Sequence, residues 1–287
     1  MQMNRQDMEA MLKKKRPLLE RGDLDIIAIR ECLGECPWRL RIFGEVTSTN
    51  TLLKQMAQEG TPAGTVLIAD RQTGGRGRLG RSFLSPGGVG VYLSALIRPD
   101  CAPTQLMHLT CAVAVAMCDA AENAFGFRPG IKWTNDLVVG TRKLGGILTE
   151  LGLNPQTGRV DYAVLGIGIN CGQTASDFDE SIRSMATSVR MVTGRNADRN
   201  RLIAEMIKAL EAMDQNLLTN PAAILDRYRR DCITLGQDVS ILRGDELRHA
   251  RALDIDTGGG LLVRYDTGET GTVTSGEVSV RGLYGYL

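Results

Sequence analysis

Apolar residues along the chain follow two periods, each marking its own kind of element. At 48–60 the trio Ser48-Thr49-Asn50 offers helix-capping oxygens, Leu52, Leu53, Met56 and Ala57 recur on one side, and Gly60 ends the pattern. Residues three and four apart share a helix face, so this predicts an amphipathic helix. A longer helix is predicted at 103–125 through Leu106, Leu109, Val113 and Met117, stopping at Gly126. Another is predicted at 198–218 through Leu202, Met206, Ile207, Leu210 and Met213, and a shorter one at 221–231. Residues 8–20 read as helical on a polar background. Continuous or alternating apolar runs predict strands at 65–69, 90–97, 131–133, 146–151 and 162–169, with Asn154-Pro155-Gln156-Thr157-Gly158 as turn chemistry between the last two.

After Gly236 the pattern changes. Short alternating segments at 239–242, 250–255, 261–265, 271–274 and 277–280 are separated by glycine-rich turns, with no helical period. These predict a small closed barrel behind a boundary near Ile233. The remainder mixes strands and helices without regular βαβ alternation, which favours α+β over a doubly wound sheet. The expected organisation is an N-terminal extension at 1–39, a larger α+β domain at 40–232 and a small β domain at 233–287.

Charge and composition narrow the function classes. Lys+Arg 34 against Asp+Glu 33 leaves a net charge of +1, no bulk reason to coat nucleic acid or a membrane surface. Hydrophobic content of 43% suits a globular core. The longest uninterrupted apolar run, residues 111–118, is far below the roughly 18 residues of a membrane span. The first residues have no apolar stretch of the kind a secretion signal needs, and the odd number of cysteines, 7, fits a reducing compartment, so a cytoplasmic protein is expected. Cys32 and Cys36 lack the second ligand pair that zinc requires. The basic run Lys13-Lys14-Lys15-Arg16 reads as a solvated face.

Three clusters carry chemistry. Residues 71–90 hold seven glycines and the arginines Arg71, Arg76, Arg78 and Arg81, with no acidic residue. The formal match Gly75-x-Gly77-x-x-Gly80 is not a dinucleotide fingerprint, because Pro86-Gly87-Gly88 and a strand follow where a helix would have to start. A mobile backbone with free N–H groups and uncompensated guanidinium forks instead suggests an anion-binding loop for a phosphate, a carboxylate or both. In the second cluster, Lys132-Trp133-Thr134-Asn135-Asp136, Lys143 precedes Gly145-Gly146, where an ammonium can reach a ligand lying on bare backbone. In the third, Leu165-Gly166-Ile167-Gly168-Ile169-Asn170, glycines leave one strand face bare, either for a flat ligand or for close packing.

With the Ser48-Thr49-Asn50 helix start, these motifs in this order, over roughly 40–287, make the chain resemble a bacterial biotin protein ligase. The resemblance implies a mixed-sheet α+β catalytic domain related to lipoate ligases and class II synthetases, followed by an SH3-like C-terminal barrel. The implied reaction has two steps: biotin and ATP, with Mg2+, give biotinyl-5′-AMP, and a lysine of a biotin carboxyl carrier protein, usually that of acetyl-CoA carboxylase, then takes the biotin. It assigns the biotin pocket to Ser48, Thr49, Asn50, Gln72, Arg76, Gly77, Arg78, Lys143, Gly146 and Leu148. The nucleotide falls to Arg78, Arg81, Phe83, Lys132, Asn135, Lys143, Asn170 and Arg281. Lys143 bridges carboxylate and α-phosphate, Arg78 retains the adenylate, and Asp136 lies near the metal or the incoming amine.

Two positions depart from the family: Phe83 stands where a tryptophan is common and Thr134 where proline is usual. The forty preceding residues show no helix-turn-helix pattern, so no nucleic-acid partner is expected, while a homodimer would follow family habit. The competing readings are a lipoate ligase or octanoyl transferase, for which Cys171 would be the nucleophile, and a biotin-sensing DNA-binding regulator.

Overall fold

The computed structural model describes residues 24–274 and 278–282; the helix expected at 8–20 and its basic run lie outside the described residues. In chain order the elements are α1 (Ile26–Leu33), β1 (Arg39–Val46), α2 (Thr49–Gln58), β2 (Thr65–Gln72), β3 (Gly90–Ile97) and α3 (Leu109–Phe125). Then come β4 (Gly130–Lys132), β5 (Asp136–Val139), β6 (Arg142–Leu153), β7 (Val160–Asn170), the short helices α4 (Glu180–Arg183) and α5 (Val189–Thr193), α6 (Arg199–Asn216) and α7 (Pro221–Asp231). The C-terminal part is β8 (Asp238–Arg243), β9 (Glu246–Ile255), β10 (Leu261–Tyr265), β11 (Thr270–Val273) and β12 (Val278–Gly282).

Seven strands form one mixed sheet in the order β1-β2-β3-β7-β6-β5-β4, parallel at β1–β2 and antiparallel elsewhere. A second, all-antiparallel sheet follows the order β11-β10-β9-β8-β12. This is the α+β architecture expected, with an all-β C-terminal unit. Sequence patterning missed α1, β1, β5 and the two short helices. It also ran one helix across 103–125, where a 3-10 turn at Pro103–Leu106 precedes α3. The span Pro103–Phe125 is long and apolar enough to cross a membrane, but 72% of its most apolar window is buried, as in a core helix.

Side chains alternate across a strand, and here the alternation assigns the two faces. Val66 and Ile68 of β2, Val91, Leu93, Ala95 and Ile97 of β3, and Ala163, Leu165, Ile167 and Ile169 of β7 join the main core with α3 and α6. The intervening residues Leu67, Leu96, Tyr162 and Val164 form a smaller cluster with Leu53 and Ala57 of α2. By the same alternation Ser94, Gly166 and Gly168 face the α2 side, beyond the point where that helix begins. The functional cavity opens there.

The helical layer is tied to the sheet by a buried charge. Arg199, the first residue of α6, is 2% exposed and donates to Asp70 Oδ1 at 2.6 Å and to the Gly90 carbonyl at 3.1 Å. Asp70 also accepts from Gly88 N–H at 3.1 Å, closing the end of the arginine loop. Removing one partner of such a pair leaves a buried acceptor unmatched. We expect Arg199→Ala to lose about 2–3 kcal/mol, discounted because Asp70 keeps partial contact with water. Urea denaturation should show this as a lower midpoint at unchanged slope; an unchanged midpoint would contradict the assignment.

Candidate active site

A cavity of about 470 Å3 lies on the α2 face of the large sheet, lined by residues from α2, the arginine loop, the β4–β5 hairpin, β6 and β7. Its floor follows from local geometry. Ser48 caps α2, its Oγ accepting from Thr51 N–H. Thr49 N–H donates to Gln72 Oε1 at 2.8 Å, and Gln72 Nε2 donates to Ser85 Oγ at 3.0 Å. Ser94 Oγ lies 2.7 Å from Thr49 Oγ1 and 2.6 Å from Asn50 Oδ1. Asn50 Oδ1 can only accept, so Ser94 donates to it, and the single Thr49 hydroxyl proton is left to Ser94 Oγ or to Gln72 Oε1, 3.1 Å away. Asn50 Nδ2 then donates to Leu148 O at 3.1 Å and to Glu150 Oε2 at 3.2 Å.

Both bare positions of β7 are filled by the protein itself. A side chain at Gly166 would collide with the Asn50 amide, and a Cβ at Gly168 would come within 2.5 Å of the Phe83 ring. The glycines therefore serve close packing at the cavity floor, which they also line. Phe83 also meets Tyr92 edge-on, with ring centroids 6.4 Å apart.

The arginine loop is more ordered and better compensated than its sequence suggests. Bridges Gln72–Ser85 and Arg76–Ser82 and the Phe83 N–H to Gly75 O bond fold it back on itself, and Leu79 projects from its tip with φ 55° and 53% exposure. Arg71 pairs with Glu45 at 3.0 Å and Arg76 with Glu150 at 3.1 Å. These carboxylates come from β1 and β6, so counting charges within the loop could not find them. Arg78 donates to Asn135 Oδ1 at 3.0 Å, and burial pulls its guanidinium pKa down from the ordinary value while Asp136 pulls the other way. Arg81 lines the same wall.

Opposite stands the Lys132–Asp136 motif. It forms the tip of the β4–β5 hairpin rather than the end of a strand: Lys132 is the last residue of β4 and Asp136 the first of β5. Lys132 is 7% exposed yet lines the cavity. Asn135 Nδ2 donates to Ile147 O at 2.9 Å, which fixes the acceptor that Arg78 uses. Lys143 Nζ pairs with Asp136 Oδ1 at 2.6 Å and lies over Gly146, where a Cβ would sit 3.4 Å from the ammonium. The bare backbone beneath Lys143 is where the sequence placed it.

Residues 43–170 match the Biotin/lipoate A/B protein ligase family and residues 234–281 the Biotin protein ligase C terminal domain. The chain is 33% identical over 249 residues to the biotin–acetyl-CoA-carboxylase ligase of Mycobacterium tuberculosis, covering 84% of this chain and 89% of that protein. It is 31% identical over 271 residues to the bifunctional ligase/repressor BirA of Bacillus subtilis, covering 91% of this chain and 81% of that protein. The chain belongs to the biotin protein ligase family. The biotin protein ligase from Aquifex aeolicus in complex with biotin and ATP superposes with a TM-score of 0.72 at 29% identity, covering 85% of this chain and 99% of that one.

Of the residues the family resemblance singled out, Ser48, Thr49, Asn50, Gln72, Arg76, Gly77, Arg78, Arg81, Phe83, Lys132, Asn135, Asp136, Lys143, Gly146 and Leu148 all line this cavity. Asn170 does not: it is 7% exposed, its Nδ2 donates to Thr187 O at 3.1 Å and its Oδ1 accepts from Gln173 at 3.2 Å. Arg281 lies on β12 in register with Ser240; its side chain is outside the described residues. The biotin ligase resemblance overlooked Ser94, Trp133, Met185 and Glu150. Ser94 had a signal, since a lone hydroxyl within an apolar strand must find a partner. Glu150 had none locally.

Glu150 is the electrostatic anchor of this family member's loop. Burial pushes its carboxyl up, but the hydrogen bond from Asn50 and the charges of Arg76 and Lys54 outweigh that, leaving the pKa below the ordinary value. A carboxyl held lower when folded than when unfolded adds stability that is complete at neutral pH and disappears as pH falls through the acid range. We expect Glu150→Gln to be about 1 kcal/mol less stable than wild type at pH 7, with the gap closing towards pH 4. Thermal melts at both pH values check this, and a pH-independent gap would refute it.

Proposed function

We propose that the chain is an ATP-dependent biotin ligase that forms biotinyl-5′-AMP and transfers biotin to a lysine of a biotin carboxyl carrier protein, such as that of acetyl-CoA carboxylase. The observation that carries this reading is the convergence of Lys143, Lys132, Arg76, Arg78 and Arg81 on one cavity whose floor is neutral and hydrogen-bonding. Two anions must meet before they react, so fixed positive charge and oriented donors are the main requirement. The ligase from Aquifex aeolicus, in complex with biotin and ATP, shares the fold.

In this reading the hydroxyls and amides of Ser48, Thr49, Asn50 and Gln72 hold the biotin head. Lys143 draws its carboxylate and the α-phosphate together. The carboxylate oxygen bonds to phosphorus as the bond to pyrophosphate breaks, and Arg78 retains the resulting mixed anhydride. The loop over the product excludes water that would hydrolyse it. The carrier's amine then forms the amide bond, AMP departs with the electron pair of the acyl–oxygen bond, and Asp136 is placed to receive the amine's proton. Asp136 is the carboxylate in the cavity lining, and among the described residues no three acidic, His or Cys side chains cluster as a metal cage. Magnesium would therefore arrive with the triphosphate, held chiefly by phosphate oxygens, and neutralise its charge.

Cys171 weighs against the transferase alternative. It is fully buried, and burial pushes its thiol up to about 12, so the nucleophilic thiolate is scarce at neutral pH. We assign the C-terminal sheet as the family's SH3-like domain. A cytoplasmic location is in keeping with free cysteines throughout the described residues.

Incubation with ATP and either biotin or lipoate tests the assignment: pyrophosphate release should require biotin, and lipoate-only turnover would overturn it. Lys143→Ala should lower pyrophosphate release at least a hundredfold with the melting temperature retained, whereas near-normal release would remove Lys143 from the reaction. Arg78→Ala should still form the adenylate but lose it to solution. A filter assay showing unchanged retention would count against that role.

A further inference from the structure

The hairpin tip that bears Lys132, Asn135 and Asp136 is held from outside the large sheet. Trp133, at its centre, is 5% exposed; its backbone N–H donates to Thr234 Oγ1 at 2.9 Å and its indole Nε1–H to the Gly259 carbonyl at 3.0 Å. Gly259 belongs to the tight turn 256–260 between β9 and β10. There Asp256 Oδ1 accepts from Gly258 N–H at 2.8 Å and from Gly260 N–H at 2.7 Å, while Asp256 N–H donates to Gly260 O at 2.9 Å. Gly259 has φ +84°, and a Cβ there would lie 2.8 Å from Cys111 Sγ of α3. The turn is thus closed by one carboxylate and wedged against a core helix, with a single carbonyl directed at the indole. Arg229 of α7 secures its base, donating to Ile255 O at 2.6 Å.

We propose that Asp256 is a positioning residue for adenylate formation: by closing this turn it fixes the Gly259 carbonyl against Trp133 and so sets the tip that orients the nucleotide side of the cavity. The inference rests on the biotin ligase reading and deepens it. From this tip Asn135 accepts from Arg78 and Asp136 pairs with Lys143, so a loosened tip misplaces both cations that must meet the reacting groups. Misplacement of about 1 Å can cost up to roughly a hundredfold in rate.

Asp256→Ala should lower kcat for pyrophosphate release at least about tenfold while leaving KM for biotin within about twofold, because the residues assigned to the biotin head, Ser48, Thr49, Asn50 and Gln72, sit at α2 and β2, away from the hairpin tip. Asp256→Asn, whose amide oxygen can still accept both glycine N–H groups, should stay within about threefold of wild type. Trp133→Phe removes the same hydrogen bond without touching the turn, so the double variant should be no slower than the worse single one. Unchanged kcat in Asp256→Ala, an Asp256→Asn as slow as the alanine variant, or multiplying losses would overturn the proposal.

A second readout is independent of activity. The chain has 2 tryptophans, so in a Trp38→Phe background fluorescence reports Trp133 alone. Asp256→Ala should shift its emission and Asp256→Asn should not. Unchanged emission would sink the positioning role whether or not the chain ligates biotin, and absence of biotin turnover in wild type with the shift present would sink only the ligase reading.

Discussion

The cavity exists because β7 carries no side chain at two successive positions on one face. With any larger residue at Gly166 the amide of Asn50 could not lie against the strand, and at Gly168 the Phe83 ring would be displaced. Asn50 is held through Ser94, Leu148 and Glu150, and Phe83 carries the returning limb of the arginine loop. The start of α2 and the loop are thus both seated on bare backbone of the same strand. Hydrogen bonds and charges arranged around that seat would have nowhere to converge if the strand were uniformly apolar.

Two of the cavity's cations are already paired with the protein's own carboxylates. Lys143 holds Asp136 and Arg76 holds Glu150. An uncompensated cluster of like charges would repel itself and weaken the fold. Pairing Lys143 and Arg76 with fixed carboxylates keeps them near the cavity, at the cost of breaking or sharing those pairs when an anionic substrate arrives. The two carboxylates differ in what they can give up. Glu150 also accepts from Asn50 and Lys54 and stays matched if Arg76 leaves, whereas Asp136 stands in the lining of the cavity itself.

How much was legible in the sequence follows from the range of each interaction. Helix α2 and strands β3 and β7 could be read because their signals are local: a capping trio, a period of 3.6 or 2, and glycines at fixed spacing. Lys143 over Gly146 was legible for the same reason. By contrast β5 is four residues long, its apolar run Leu137-Val138-Val139 too short to set a period, and β1 alternates so weakly that its period disappears. The uncompensated loop was misread because Glu45 and Glu150 reach Arg71 and Arg76 only after the sheet has formed. Asn170 was assigned to the ligand by family position, yet in the fold its amide is taken by Thr187 and Gln173.

The cavity's two sides are held by different parts of the molecule. Residues that would meet a small neutral ring sit on α2 and β2, whose anchorage lies within the large sheet. Those that would meet phosphate sit on the loop and the β4–β5 hairpin, and the hairpin is braced by Thr234, Gly259 and, through Tyr228 O–H to Thr134 O at 3.1 Å, by α7. Lys143 belongs to neither side alone: its backbone pairs with the 185–187 segment and its ammonium with the hairpin. Lys143 is thus sited where the two supports meet, and the C-terminal unit reaches that point through Thr234 and Gly259.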